Sequence, residues 1–362
     1  MTLSPVVFSG GTADISVFEK RADDTLKQIH RASGGPWGGI YVDEAFLNTL
    51  IDIFGVRAIE SLKAEDMEEY LYLMRDFEVK KRAFHLDDDD DIIIRVSSLL
   101  KKRSEQFTGH SLARKLKKLK YEPHVTICKS ADKLRIHRSF ARKWFEQPLS
   151  KLVSHLKTVL AQENMQSVKN ILLVGGFGES EYVQKTLELE LVGRCIVVPS
   201  QAGLVVLKGA VRFGHESNII SSRIMKESYG MRVRKKCVPF QHIGIEKKMV
   251  NNELYVENVF LPFVSADEKV ETNTGSLYED LKPTDLLSTG ISLFKTPNKD
   301  TEYTCDKACL EIGKLRIYHP EGATLEDKKM DVSFVFGGTE LTVRARLQKF
   351  NKEATVKLDF LE

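Results

Sequence analysis

Long apolar runs are missing from this sequence. Nothing approaches the roughly 20 residues a helix needs to cross a bilayer, so no membrane span is expected. The opening residues, MTLSPVVFSG, hold neither a basic stretch nor an apolar one and do not read as a secretory signal. Cysteine is scarce. Cys128, Cys195, Cys237, Cys305 and Cys309 are scattered and odd in number, which fits a reducing, cytoplasmic setting better than a disulfide framework. Cys305 and Cys309 could form half a metal site, but no His or Cys stands at a matching spacing, so free thiols are the better reading. An excess of one charge is also lacking. A net charge of +3 gives no compositional argument for a nucleic-acid partner. What remains, 42% hydrophobic and 29% charged residues in a chain of 362, is ordinary globular composition with room for two or three domains.

Three charged features carry little chemistry by themselves. Asp87 to Asp91 is a run of five carboxylates, but it lacks the central Gly of a cation loop, so a solvated loop is the expected structure. Lys101 to Lys120 holds eight Lys or Arg against one Glu; without interleaved aromatic residues beyond Phe107 it reads as a solvated helical face. His110 has no evident partner and reads as structural or exposed.

From Pro5 to about Gly214 strands and helices alternate. Leu149, Leu152, Val153, Leu156, Val159 and Leu160 form a helical stripe, with Pro148 placed as in a first turn. NILLVGGFGES reads as a buried strand running into a glycine turn, after which Ser180 and its acidic neighbours can open a helix. RCIVVP is another strand, closed by Pro199, and QAGLVVLKGAVRFG a helix ending at Gly214. HESNIISSRIMKESYG is a polar connector. From Ser228 onward period two takes over: Val332, Phe334, Phe336, a GGTE turn, Leu341, Val343, Ala345, then Val356, Leu358, Phe360. The expected division is an α/β domain at 1–216 and a mostly β domain at 217–362.

Two glycine turns are placed to meet phosphate: Gly10-Gly11-Thr12 and Gly175-Gly176. Adjacent glycines let backbone N–H groups approach an anion, and a helix start after the second adds partial positive charge. A dinucleotide fold fits poorly, because the third glycine of that motif is Glu181 and the next strand ends in Pro199 rather than an acid. A P-loop is excluded, since no Gly-Lys-Ser/Thr follows either turn. The first turn also joins strand to strand, where both motifs need strand to helix.

A strand–GGT–strand hairpin ending in Asp14 resembles the second phosphate loop of actin-like ATPases. ILLVGGFGESEYVQKTL resembles the adenosine-contacting turn of the 70-kDa heat-shock proteins, and FEVKKR, Phe77 to Arg82, their adenine-contacting helix of pattern E-x-x-K-R. ASGGPWGGIYVDEAFLNTL, VVPSQAGLVVLKGAVRFG, FTGHS and FVSADEKV resemble an atypical branch of that family, the 12A/12B-like one. The similarity runs from about residue 5 to the C-terminus.

The resemblance implies a fold: the α/β second lobe of an actin-like (ribonuclease H-like) ATPase, followed by a mostly β, substrate-binding-like domain. It implies ATP and Mg²⁺ as cofactors. Gly10, Gly11 and Thr12 would wrap the β/γ-phosphates, and Asp14 would hold Mg²⁺ and its waters. Gly34 and Gly35 would pass close to the ribose and phosphates. Glu78, Lys81 and Arg82, one turn apart on a helix, would clamp the adenosine from one side, and Gly175, Gly176 and Phe177 would close the other. No catalytic residue is assigned. The family pattern begins Asp-x-Gly-Gly-Gly-Thr, and here Val7 stands at the acid and Ser9 at the first glycine. A valine can place neither charge nor water around a phosphate, so weak or absent hydrolysis is expected.

The first lobe's own Gly-Thr-rich loop is not found, so the expectation is a chain that supplies one wall of a two-walled pocket, either a clipped gene product or a natural half-molecule. A helical lid after the β domain is likewise not expected. The functional expectation is ATP binding coupled through the connector near residues 215–228 to binding of client polypeptides or other proteins, by strand addition in the β domain. The rival is a non-catalytic interaction module with a degenerate nucleotide site. A nucleic-acid or lipid partner for Lys101 to Lys120 is a distant third.

Overall fold

The computed structural model describes residues 2–8, 10–86, 90–128, 132–238, 242, 245–250, 252–283, 287–336 and 340–359. Asp87 to Asp89, Ser9, the Gly337–Gly338–Thr339 turn and Phe360 lie outside them. The chain divides into two compact units, Thr2–Val17 with Ser33–Arg212, and Phe18–Ala32 with Phe213–Glu362.

The first unit is mixed α/β. In chain order it carries β1 (Thr2–Phe8), the start of β2 (Ala13–Lys20), the end of β3 (Leu26–Gly35), α1 (Ile40–Phe54), α2 (Val56–Glu65), α3 (Met67–Arg82), β4 (Ile92–Arg95), α4 (Ser98–Thr108) and α5 (Leu112–Lys118). Then come β5 (Val125–Ile127), β6 (Lys133–Ile136), α6 (Arg138–Leu160), β7 (Asn170–Val174), α7 (Glu181–Glu190), β8 (Cys195–Val197) and most of α8 (Ala202–His215). β1 pairs parallel with β7, and β7 parallel with β8; β2 lies on the other side of β1. β4, β6 and β5 form a small antiparallel sheet. No helix among the described residues is long and apolar enough to cross a membrane.

The helical stripe is longer than the sequence reading had it. α6 begins at Arg138, because Phe140, Ala141, Trp144 and Phe145 continue the buried face of Leu149 to Leu160 back by three turns. Pro148 therefore lies inside the helix, not in its first turn. It cannot donate to the carbonyl four residues back, and it is kept by the apolar packing on either side. α1 and α3 meet α6 through three rings. Phe46 and Phe77 stack with centroids 3.8 Å apart, and Trp144 stands edge-on to both at 5.3 and 5.5 Å. The Trp144 indole N–H donates to Thr49 Oγ1 at 2.9 Å, which satisfies the one polar atom this cluster buries.

The basic stretch is not all solvated. α4 and α5 each start at a serine whose side chain accepts a backbone N–H, Ser97 from Leu100 and Ser111 from Arg114. Lys115 is only 9% exposed and donates to the Phe54 carbonyl at 3.3 Å and to Ser104 Oγ at 2.8 Å, so it caps the C-terminus of α1. Arg103 reaches Glu65 at 3.0 Å. Lys102, Arg114, Lys117, Lys118 and Lys120 are exposed, as expected of the face. His110 is half-buried.

The second unit is β-rich. It carries β9 (Ile220–Ile224), β10 (Ser228–Lys236), β11 (Lys247–Val250), β12 (Glu253–Val264), β13 (Lys269–Glu271), β14 (Gly275–Leu281), β15 (Ser288–Thr296), β16 (Leu310–Tyr318), β17 (Met330–Phe336), β18 (Glu340–Leu347) and β19 (Glu353–Asp359). β9 pairs with β3 at Leu26 and Lys27 and with β13. A five-stranded sheet in the order β11-β12-β10-β15-β16 and a four-stranded sheet in the order β14-β17-β18-β19 share one apolar core. The period-two reading holds on β17 and β18, while Val356 and Leu358 on β19 are half-buried against the same core. Val332, Phe334, Phe336, Leu341, Val343 and Ala345 all point inward and none is more than 5% exposed. In register, Phe334 faces Val343 and Val332 faces Ala345.

Candidate functional site

β1 and β7 are adjacent and parallel, with Val7 opposite Val174. Their carboxyl ends therefore release their two glycine turns side by side, the usual place for a ligand on a parallel sheet. A pocket of about 350 Å³ opens there. Gly10 comes from the turn after β1, and Gly176, Phe177 and Ser180 from the turn after β7. Gly39, Ile40 and Asp43 come from the start of α1, and Glu78, Lys81 and Arg82 from the end of α3.

The first turn is tied down by its carbonyls. Ile40 N–H donates to the Gly10 carbonyl at 2.9 Å, and Gly38 N–H to the Gly11 carbonyl at 3.2 Å. Thr12 Oγ1 donates to Asp14 Oδ2 at 2.9 Å, which orients an exposed carboxylate at the start of β2. Val7, at the position where the resemblance led to an acid, is half-buried. A Cβ added at Gly10 or Gly176 would meet nothing within 4 Å. Packing does not require glycine at either place; its effect is to leave the pocket open. Gly175 differs: with φ at 89° it takes a backbone form few other residues adopt, and its N–H donates to the Ala202 carbonyl at 2.9 Å.

α3 starts at Asp66, whose carboxylate caps Glu69 N–H, and ends at the pocket. Phe77 sits one turn before Lys81, and on α1 Phe46 sits one turn after Asp43. The ring stack between these helices thus sets the spacing of the polar groups above it. Lys81, 8% exposed, places its ammonium 2.6 Å from Asp43 and 2.6 Å from Glu78. Glu78 also accepts from Arg82 Nε at 2.8 Å. Burial holds the Asp43 carboxyl above its ordinary value despite the Lys81 bond. Burial pushes Glu78 the same way, but the hydrogen bonds and charges of Lys81 and Arg82 outweigh it and leave Glu78 below. The Glu78 bond in turn raises Arg82.

Phe177, 8% exposed, lies under Gly39, where an added Cβ would touch its ring at 3.3 Å. The structure thus brings Gly10, Glu78, Lys81, Arg82, Gly176 and Phe177 to one pocket, with Gly11, Thr12 and Gly175 in the adjoining turns and Asp14 at the start of β2. Gly34 and Gly35 are not in its lining. A Cβ on Gly34 would lie 2.0 Å from the Ala13 carbonyl oxygen, and one on Gly35 would run into the Trp37 ring, so close packing at the end of β3 already requires both glycines. Gly39, Ile40, Asp43 and Ser180 were missed. The signal for the first three was in the sequence: a second glycine pair, Gly38-Gly39, opening a helix whose first turn carries Asp43. All five cysteines are free, and no cluster among the described residues has the makings of a metal centre.

Over 363 residues the chain is 29% identical to heat shock 70 kDa protein 12A of Mus musculus and 28% identical to that of Homo sapiens. Over 369 residues it is 28% identical to heat shock 70 kDa protein 12B of Homo sapiens. Each match covers 97% of this chain and 53% of the relative, so the chain spans about half the length of the curated relatives it matches. No protein-family model matches the chain. Among solved structures, the chain titled "pCBH ParM non-polymerisable quadruple mutant" shares 14% identity at a TM-score of 0.31, covering 59% of this chain and 47% of that one, a likeness too distant to bear on the fold. In sequence, then, this chain is similar along nearly its whole length to the atypical heat shock 70 kDa proteins 12A and 12B, the branch its motifs resemble.

Proposed function

We propose that the first unit is an actin-like lobe that binds a nucleotide, ATP with Mg²⁺, in this pocket. We further propose that the β-rich unit is a substrate-binding-like domain for extended client polypeptide, and that one binding event shifts the other. The single observation that carries the nucleotide reading is the convergence of the hairpin turn, the Glu78–Lys81–Arg82 helix end and the Gly176–Phe177 turn on one pocket. The residues suit the group. Gly10 and Gly176 leave room at the carboxyl ends of parallel strands, and Asp14 offers an exposed hard oxygen donor for Mg²⁺. Gly10, Gly11 and Thr12 would face the phosphates, Glu78, Lys81 and Arg82 the adenosine from one side, and Phe177 from the other. Bound Mg²⁺ would supply charge neutralisation for the phosphates. Five free thiols accord with a cytoplasmic setting.

Hydrolysis is a separate matter. Val7 offers no carboxylate beside the turn, and the Lys81 charge is already shared by two carboxylates. These two observations favour a second reading, a non-catalytic interaction module whose nucleotide site is degenerate. Calorimetric titration of the chain with Mg-ATP tests the choice. The first reading expects saturable heat, a raised melting temperature and phosphate release near background. Absence of heat and of any thermal shift would leave only the interaction module. Coupling is read from the anisotropy of a labelled extended apolar peptide with and without Mg-ATP.

A further inference from the structure

Ser180 lines the pocket. It is 5% exposed and stands at the N-cap of α7, but its side chain makes no capping bond. Its Oγ is buried and has no hydrogen-bond partner among the described residues. A buried hydroxyl left unpaired is costly, and a water, an ion or a ligand is the usual partner of such a group in native structures.

The surroundings decide what that something is. A helix start draws anions, but this one is fenced with acids. Glu179 precedes Ser180 and accepts from Gly203 N–H at 2.8 Å, Glu181 follows it and lies 2.6 Å from His85, and Glu78 lines the same pocket. The two cations of the lining, Lys81 and Arg82, are both tied to Glu78, at 2.6 and 2.8 Å. A phosphate there would meet the Glu78 carboxylate, with Asp43 also in the lining. A neutral group that both donates and accepts suits Ser180, because a hydroxyl does both at once. The flat neighbours are the Phe177 ring and the Arg82 guanidinium, surfaces on which an aromatic heterocycle stacks.

We propose that Ser180 Oγ is the group that hydrogen-bonds the edge of the nucleobase, donating to a ring nitrogen and accepting from the exocyclic amino group, and that it sets the base preference of this site. The inference rests on the nucleotide reading. It makes Ser180 a specificity residue in a turn where the motif reading drew only on Gly175, Gly176 and Phe177.

The test is calorimetric binding to the full chain and to Ser180→Ala. Three ligands are compared: Mg-ATP, the triphosphate of purine riboside, which lacks the 6-amino group, and inorganic tripolyphosphate. Wild type is expected to prefer ATP over purine riboside triphosphate several-fold. In Ser180→Ala, ATP is expected to weaken roughly five- to tenfold, tripolyphosphate to stay within about twofold, and the preference between the two nucleosides to vanish. The melting temperature of the ligand-free variant should not fall, since the substitution removes an unpaired buried hydroxyl. Should Ser180→Ala fail to fold, Ser180→Cys keeps the size with a poorer hydrogen-bonding group, and ATP should weaken with the same selectivity. ATP affinity untouched by either variant, or an equal loss for tripolyphosphate, overturns the Ser180 assignment while the nucleotide reading stands. Failure of wild type to bind any of the nucleotides removes both.

Discussion

The two units bury polarity in different ways. The sandwich core of the β-rich unit is built of Met, Val, Ile, Leu and Phe with one alanine and one tyrosine, supplied alternately by facing strands. The α/β unit has an equally dry ring cluster at Phe46, Phe77 and Trp144, but one helical turn above it lie a buried lysine and two carboxylates, with an orphan serine in the same pocket. Burying charge brings little net stability. Both units bury single polar side chains, Lys115 in the first and Ser222, Thr296 and Lys328 in the second; what sets the pocket apart is a lysine shared by two carboxylates on a rigid apolar base, a pattern that suits a binding site.

The sharpest way to separate the two regions is to remove one ring from each. Phe334 and Phe77 are both 1% exposed, and truncation to Ala should cost about 3–5 kcal/mol in either case, measured by denaturant unfolding. The difference should appear in binding. Phe77→Ala removes the floor under Lys81 and Glu78 and is expected to weaken Mg-ATP at least tenfold. Phe334→Ala, assayed where it is still folded, should leave the affinity unchanged. Equal losses would erase the contrast.

Charge gives the next largest effect. Lys81→Met leaves Asp43 and Glu78 facing each other, and because both carboxylates keep partial solvent access the cost should be about 2 kcal/mol, below that of a fully buried broken pair. In the β-rich unit the Lys295 ammonium lies 3.2 Å from Glu227 with both side chains 21% exposed. Lys295→Met should cost about 1 kcal/mol or less. Urea midpoints of the two variants test the order.

Acid sharpens the contrast further. Asp43 is held above its ordinary value, so on acidification from neutral pH it takes up its proton before the unfolded chain would. Through that window the native state binds more protons, and stability rises as pH falls. Glu78 is held below its ordinary value, so its contribution is present above the unfolded carboxylate range and is lost as pH falls through the folded value. The expected profile has a shallow gain followed by a loss at lower pH. Asp43→Asn should remove the gain and keep the loss. A profile unchanged by Asp43→Asn would show that its carboxyl titrates normally.

Much of this contrast was legible in the residues, and unevenly so. The β-rich core could be read from alternation alone, because in a sheet the side-chain period itself decides which face is buried. The turns at Gly10 and Gly175 and the helix end at Glu78, Lys81 and Arg82 were visible as local patterns. What joins them was not. Asp43 matters through the packing of Phe46 on Phe77, a contact between helices that neither stretch announces. Gly34 and Gly35 looked like ligand-facing glycines, although steric need at Ala13 and Trp37 accounts for them. Lys115 looked like one more surface cation until α1 ended beside it. Pro148 suggested a helix start because the stripe before it carries rings rather than leucines. Ser180 carried an N-cap signal, but only the coordinates show that its hydroxyl caps nothing.

The smallest effect concerns the surfaces, where the two regions should stop differing. Lys157 and Glu190 in the α/β unit lie 2.6 Å apart, and Lys357 and Glu340 in the β-rich unit 2.8 Å apart, with every side chain about half exposed or more. Holding two long side chains in one geometry in water offsets most of the Coulomb gain, and salt screens the remainder. Lys157→Ala and Lys357→Ala should each shift stability by less than about 0.5 kcal/mol, with the shift shrinking further at high salt. If the Lys157 variant lost several times more than the Lys357 variant, polarity would carry stability across the whole α/β unit, and the pocket would no longer stand out from the rest of that unit.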